Sequence, residues 1–147
     1  MTRNPSRSRL VGMLPTAALA ACAVALLAGP LATPAAAADL SGAWATDGSA
    51  CDKLFEKTGK GIVFRTDSEV FGGGVIIDGT KIRGKAIACS IKARRVAGPV
   101  THLLASCASD IMTSNVQFSV ELPDPDTMVR VFPGMEGMEL TYKRCRM

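Results

Sequence analysis

Histidine is nearly missing from this sequence: His102 stands alone. That excludes any site built on two imidazoles. Aromatic residues make up only 5%, and none is interleaved with the basic residues, so a base-stacking surface for nucleic acid is not supported. No two cysteines lie at C-x-x-C spacing, no serine or cysteine sits in a nucleophile elbow, and no repeat of 33–45 residues is visible. A net charge of +4 on 147 residues is too small for a disordered charged tail.

What is present begins with an address. Arg3, Arg7 and Arg9 form a positive start without an acid, and an apolar stretch runs from Leu10 to Leu27. Ala35-Ala36-Ala37-Ala38 then offers small residues at the positions a signal peptidase reads. Residues 1–38 are read as a signal peptide of the general export route, cut after Ala38, leaving residues 39–147 as a single domain. Leu19-Ala20-Ala21-Cys22 resembles a lipobox, but the apolar run continues past it. Membrane attachment is expected only if Cys22 is lipidated. Removing the leader takes three of the 17 basic residues and none of the 13 acids, so the excess falls to one. Net charge then gives no reason to expect a nucleic-acid partner.

Four cysteines remain, Cys51, Cys89, Cys107 and Cys145, separated by gaps of 37, 17 and 37 residues. These gaps do not suit a four-thiolate zinc site, and an even number in an exported chain reads as two disulfides. No metal and no cofactor is expected.

The pattern is β throughout. Residues Asn115–Leu122 alternate, with Val116, Phe118, Val120 and Leu122 on one side and polar residues on the other. Leu40–Trp44, Gly61–Thr66, Gly74–Ile77, Met128–Phe132 and Met138–Lys143 read as further strands. Asp78-Gly79 predicts a tight hairpin. From Thr80 the next strand is expected to continue to Arg95, with Gly84 as a bulge where the apolar parity flips. A turn centred on Gly98 sets Cys89 opposite Cys107, Ile91 opposite Ala105 and Ala93 opposite Leu103, all facing the core. That pairing leaves Cys51 for Cys145. In a simple meander those two lie at opposite ends, so Asp47–Lys60 must fold back, through a helical turn at Cys51–Lys57. The expected fold is all-β, an up-and-down antiparallel barrel of about eight strands, with a β-sandwich as the alternative.

Sites are harder to read. His102 falls on the outer face, across from Arg94, as a surface histidine. Gly72-Gly73-Gly74 lacks the lysine and helix of a phosphate loop and reads as a turn. Asp124 and Asp126 flank a proline as solvated turn residues with no calcium-ligand series after them. Lys81, Arg83, Lys85, Lys92, Arg94 and Arg95 load one long strand with positive charge, a candidate contact for an anionic partner. The apolar loop from Phe132 through Met135 to Met138 is a candidate binding tip.

Gly42-Ala43-Trp44 after Asp39-Leu40-Ser41 resembles the Gly-x-Trp opening of lipocalin-type barrels. The resemblance implies a first-strand tryptophan that closes one end beside a basic residue of the last strand, here Arg144 or Lys143. With a cysteine soon after, the segment is also similar to the small bacterial periplasmic inhibitors of secreted metalloproteases. Two departures are plain. Those inhibitors present an N-terminal trunk where this chain keeps only Asp39-Leu40-Ser41, and they carry one disulfide. The expectation is a monomeric, non-enzymatic, periplasmic or secreted binding protein, inhibitor-like or binding a small ligand. The alternative is an envelope structural or surface-interaction protein that uses its basic strand.

Overall fold

The computed structural model describes residues 39–147, so the leader read over 1–38 and the lipobox cysteine lie outside the described residues. The described chain forms β1 (Gly42–Ala45), a short helix α1 (Cys51–Leu54), β2 (Phe55–Thr58), β3 (Gly61–Phe64), β4 (Gly74–Asp78), β5 (Lys81–Arg83), β6 (Ala88–Ala97), β7 (Val100–Ala108), β8 (Thr113–Asp124), β9 (Thr127–Val131) and β10 (Glu139–Cys145). Eight strands close into an antiparallel barrel in the order β1-β10-β9-β8-β7-β6-β5-β4, while β2 and β3 form a separate ribbon. The expected all-β barrel is therefore the fold.

The apolar parity builds the interior. Trp44, Ile77, Ile82, Leu103, Val120, Met128 and Tyr142 pack together inside it, with Val116, Phe118 and Leu122 of β8 against them. Each fully buried large side chain contributes about 1.5–3 kcal/mol. A second core lies outside the barrel wall. Ala43, Ala45, Ile76 and Cys145 point outward there and are covered by Leu54 and Phe55, with Ile62 and Phe64 of β3 beside them. Gly74 is required at this contact, because a Cβ there would lie 2.7 Å from Phe55 Cζ.

Both disulfides form, Cys89–Cys107 and Cys51–Cys145. The chain turns back after β1 as the second pair demands. A 3₁₀ turn at Gly48–Ala50 leads into α1, which brings Cys51 to the outward face of the last strand. The helical turn stops at Leu54, and Phe55–Lys57 belongs to β2. The strand read at Gly61–Thr66 exists as Gly61–Phe64, but pairs with β2 in the ribbon and not in the barrel.

Two expectations are corrected. Gly84 is not a bulge in one long strand. Residues 84–87 are the turn between β5 and β6, closed by Gly84 N–H donating to Ile87 O at 2.8 Å. A parity flip marks a reversal as readily as an inserted residue. The β6–β7 turn is also one residue tighter than expected. Ala97 faces Val100 across Gly98-Pro99, so the ladder starts one register off, placing Ala93 opposite Leu104 and His102 opposite Arg95. A bulge between Ile91 and Ala93 restores the register, so Cys89 still meets Cys107 and Ile91 still meets Ala105. Lys92 is the extra residue, and it turns Arg94 to the face of Leu103, the inner one.

Candidate functional site

Antiparallel closure gives the barrel two unlike poles. One carries the short polar turns at 79–80, 98–99 and 125–126 together with residues 39–41. The other carries the longer connections 46–73, 84–87, 109–112 and 132–138.

The short-turn pole is covered over Trp44, with an open concavity beside the cover lined by Leu40, Ile77, Ile91, Arg94 and Leu103. Trp44 is fully buried and its indole Nε1 donates to Leu40 O at 2.9 Å. The Arg144 guanidinium lies 4.1 Å from the centroid of the same ring. Its Nε donates to Pro125 O at 2.7 Å, its Nη2 to Asp39 O at 3.0 Å and its Nη1 to Ser41 O. Arg144 thus ties the entering chain, the β8–β9 turn and the tryptophan into one lid. Lys143 instead donates to Thr127 Oγ1 at 2.8 Å. Asp39 accepts from Ser41 N–H at 2.9 Å. Hydrogen bonds from Ser41, with the charges of Arg144 and Arg94 behind them, hold its carboxyl below the usual range.

Towards the long-loop pole lies a cavity of about 150 Å³. Val75, Ile77, Ile82, Leu103, Phe118 and Met128 supply most of its wall, and Gly74, Gly84 and Ile87 lie at the level of the loops. Among the lining side chains only Arg130 and Tyr142 carry polar atoms. Arg130 belongs to β9 and faces Val120 of β8 and Leu140 of β10, which fixes it on the inner face. Its guanidinium carbon stands 4.7 Å from the ring centroids of both Phe118 and Phe132. Its Nε is shut off from water and has no hydrogen-bond partner. Leaving such a donor unpaired costs about 1–3 kcal/mol. The loops around this pole expose apolar side chains: Ile111 at 91%, Met112 at 60%, Met135 at 55% and Met138 at 52%.

The six basic residues are not brought together. Lys81 and Arg95 lie on the outer wall, opposite Ser90 and His102 respectively, and Lys92 occupies the bulge. Arg94 sits at the short-turn pole near Asp39. Arg83 Nη2 donates to Ile62 O at 3.0 Å. Lys85 donates to Arg65 O at 2.5 Å and to Ser68 Oγ, and pairs with Glu69 at 3.4 Å. Arg83 and Lys85 therefore clamp the 55–71 excursion to the barrel. Phe132 is half-buried against Arg130, while Met135 is exposed.

His102 lies on the outer face, where its Nδ1 is 2.8 Å from Ser119 Oγ and Gln117 Nε2 donates to the same oxygen at 3.2 Å. Ser119 is buried, so this is a polar tie across β7 and β8, beside an outer-wall depression lined by Ala93, Arg95, His102, Leu104 and Gln117. Gly73 bonds Thr46 in both directions, a strap closing the excursion. Asp124 caps its own turn by accepting from Asp126 N–H, and Asp126 pairs with Arg146. Among the described residues no group of three or more His, Cys, Asp or Glu is placed to hold a metal ion.

The sequence reading missed Arg130. Met128, Arg130 and Phe132 share one parity, but Val129 and Val131 make the other parity equally apolar. Alternation therefore did not say which set faces in.

Fold and site together define a disulfide-bonded, closed eight-stranded antiparallel barrel with an apolar cavity at one pole. No protein-family model, curated protein or solved structure matches the chain. The two disulfides belong to an oxidising, extracytoplasmic compartment. Among the described residues no helix is long and apolar enough to cross a membrane.

Proposed function

We propose that this protein is an exported, non-enzymatic binding protein that admits a small, mainly apolar ligand into the barrel from the long-loop pole. The observation that carries the reading is the apolar cavity of about 150 Å³ towards the long-loop pole, with Arg144 packed over Trp44 at the other. An apolar cavity of about this size accepts a benzene-sized guest. The reading includes a leader at 1–38 removed after Ala38, with the intact mass of the exported form expected to match a chain starting at Asp39.

Titration of the oxidised protein with benzyl alcohol tests the cavity. Methyl resonances of Val75, Ile77 and Met128 are expected to shift together, and Leu103→Trp to abolish the response. Shifts confined to outer-wall residues such as Leu104 would sink the reading.

A protein partner, the inhibitor-like role, is favoured by a different observation: the exposed Ile111, Met112, Met135 and Met138 around the same pole. In that case Met135→Asp with Met138→Asp abolishes partner capture and leaves ligand shifts intact. The basic-strand alternative has less support, since two of its six cations are engaged by the excursion.

A further inference from the structure

We propose that Arg130 reads a negative charge on the ligand, so that the barrel takes a small carboxylate carried on an apolar body about the size of one aromatic ring. This rests on the cavity reading above and specifies its ligand class.

Arg130 is the one charged side chain among those lining the cavity. Among the described residues no acid forms an ion pair with it. Phe118 and Phe132, each at 4.7 Å, hold the guanidinium within an apolar setting. Rings stack on the faces of a guanidinium, and its N–H donors lie in its plane, so stacking leaves the donors wanting acceptors. The unpartnered Nε is the visible sign of that deficit.

A cation in this position is not needed for the fold. Its neighbours of the same parity, Met128 on β9 and Phe132 just past it, are apolar, and replacing a half-buried ionic group by a well-packed apolar one is commonly neutral or stabilising. The shut-off Nε is out of a guest's reach, so a carboxylate entering the cavity meets the rest of the guanidinium, whose planar fork its geometry matches. Tyr142 adds a hydroxyl to the same wall. The small volume limits the rest of the ligand to one ring or a short chain.

The test uses three probes of nearly equal size, benzoate, benzyl alcohol and benzylamine, titrated into the oxidised protein at neutral pH by calorimetry and methyl NMR. Benzoate is expected to bind about tenfold or more tightly than benzyl alcohol, with benzylamine weakest. Arg130→Met is expected to erase the preference, bringing the ratio of benzoate to benzyl alcohol affinity to about one. Arg130→Lys keeps the charge without the fork and is expected to retain part of the preference, which serves if the methionine variant does not fold. Equal affinities for benzoate and benzyl alcohol, or a benzoate preference that survives in Arg130→Met, overturn the role of Arg130 and leave the cavity reading standing. Failure of all three probes to shift the cavity methyls overturns both.

Discussion

At Arg144 a ring contact and three carbonyl hydrogen bonds converge on one half-buried side chain. Arg144→Met keeps the stem over Trp44 and strips the donors, leaving Ser41 and Pro125 carbonyls without their partner. The expected cost is about 2–3 kcal/mol, read from urea midpoints. Asp39 contributes at the same pole with a definite pH sign. Its carboxyl is held below the ordinary value of 3.8 by Ser41. The ionised form is therefore favoured by folding, its contribution is complete above that value, and it is lost as pH falls through the lower folded value. Asp39→Asn is expected to destabilise at pH 6 and to converge with the parent in the most acid part of a melting series. A difference that instead grows on acidification would reverse the assignment. Arg144 and Arg130 differ in legibility. Arg144 was within reach of the sequence because Gly42-Ala43-Trp44 pointed to a cation on the last strand. Arg130 was not, because the valines beside it hide the inward parity.

Among the elements, the β6–β7 hairpin shows how a short-range signal and a long-range one are reconciled. The Gly98-Pro99 turn sets one register and the Cys89–Cys107 pair requires another, and the bulge at Lys92 lets both hold. Sequence supplied the two ends of this hairpin but not the inserted residue, since nothing in Ile91-Lys92-Ala93 distinguishes a bulge from a regular strand. The alternation of β8 and the Asp78-Gly79 reversal were legible because each signal is complete within a few residues. The excursion was not: it gains its place from packing on Ala43, Ala45 and Ile76 and from the Arg83 and Lys85 clamp, all distant from β2 in sequence. The disulfides are ranked by the chain they enclose. Cys51–Cys145 spans 94 residues and Cys89–Cys107 spans 18. On loop entropy the first contributes about 4.7 kcal/mol and the second about 3. Paired serine variants, compared by urea denaturation, are expected to keep that order. Loss of the longer bridge should also release Phe55 and Phe64 to hydrogen exchange before the barrel itself.

Over the whole molecule, structure divides labour between the poles. Stability concentrates where the turns are short and Arg144 spans three segments. Long loops with exposed methionines gather where the cavity lies. Ile111→Ser with Met112→Ser is accordingly expected to change stability by less than about 0.5 kcal/mol while shortening retention on a hydrophobic column. A large fall in the urea midpoint would mean that this loop is packed and not presented.

The seam of the wall joins β1 to β10, the earliest and the final strands of the described chain. No portion of the chain that lacks β10 can shut the wall by itself, so the inward side chains stay open until that strand is in place. The Cys51–Cys145 bond, made when an external oxidant takes two electrons and two protons from the paired thiols, then acts as a timestamp, since it needs β10 in place against β1.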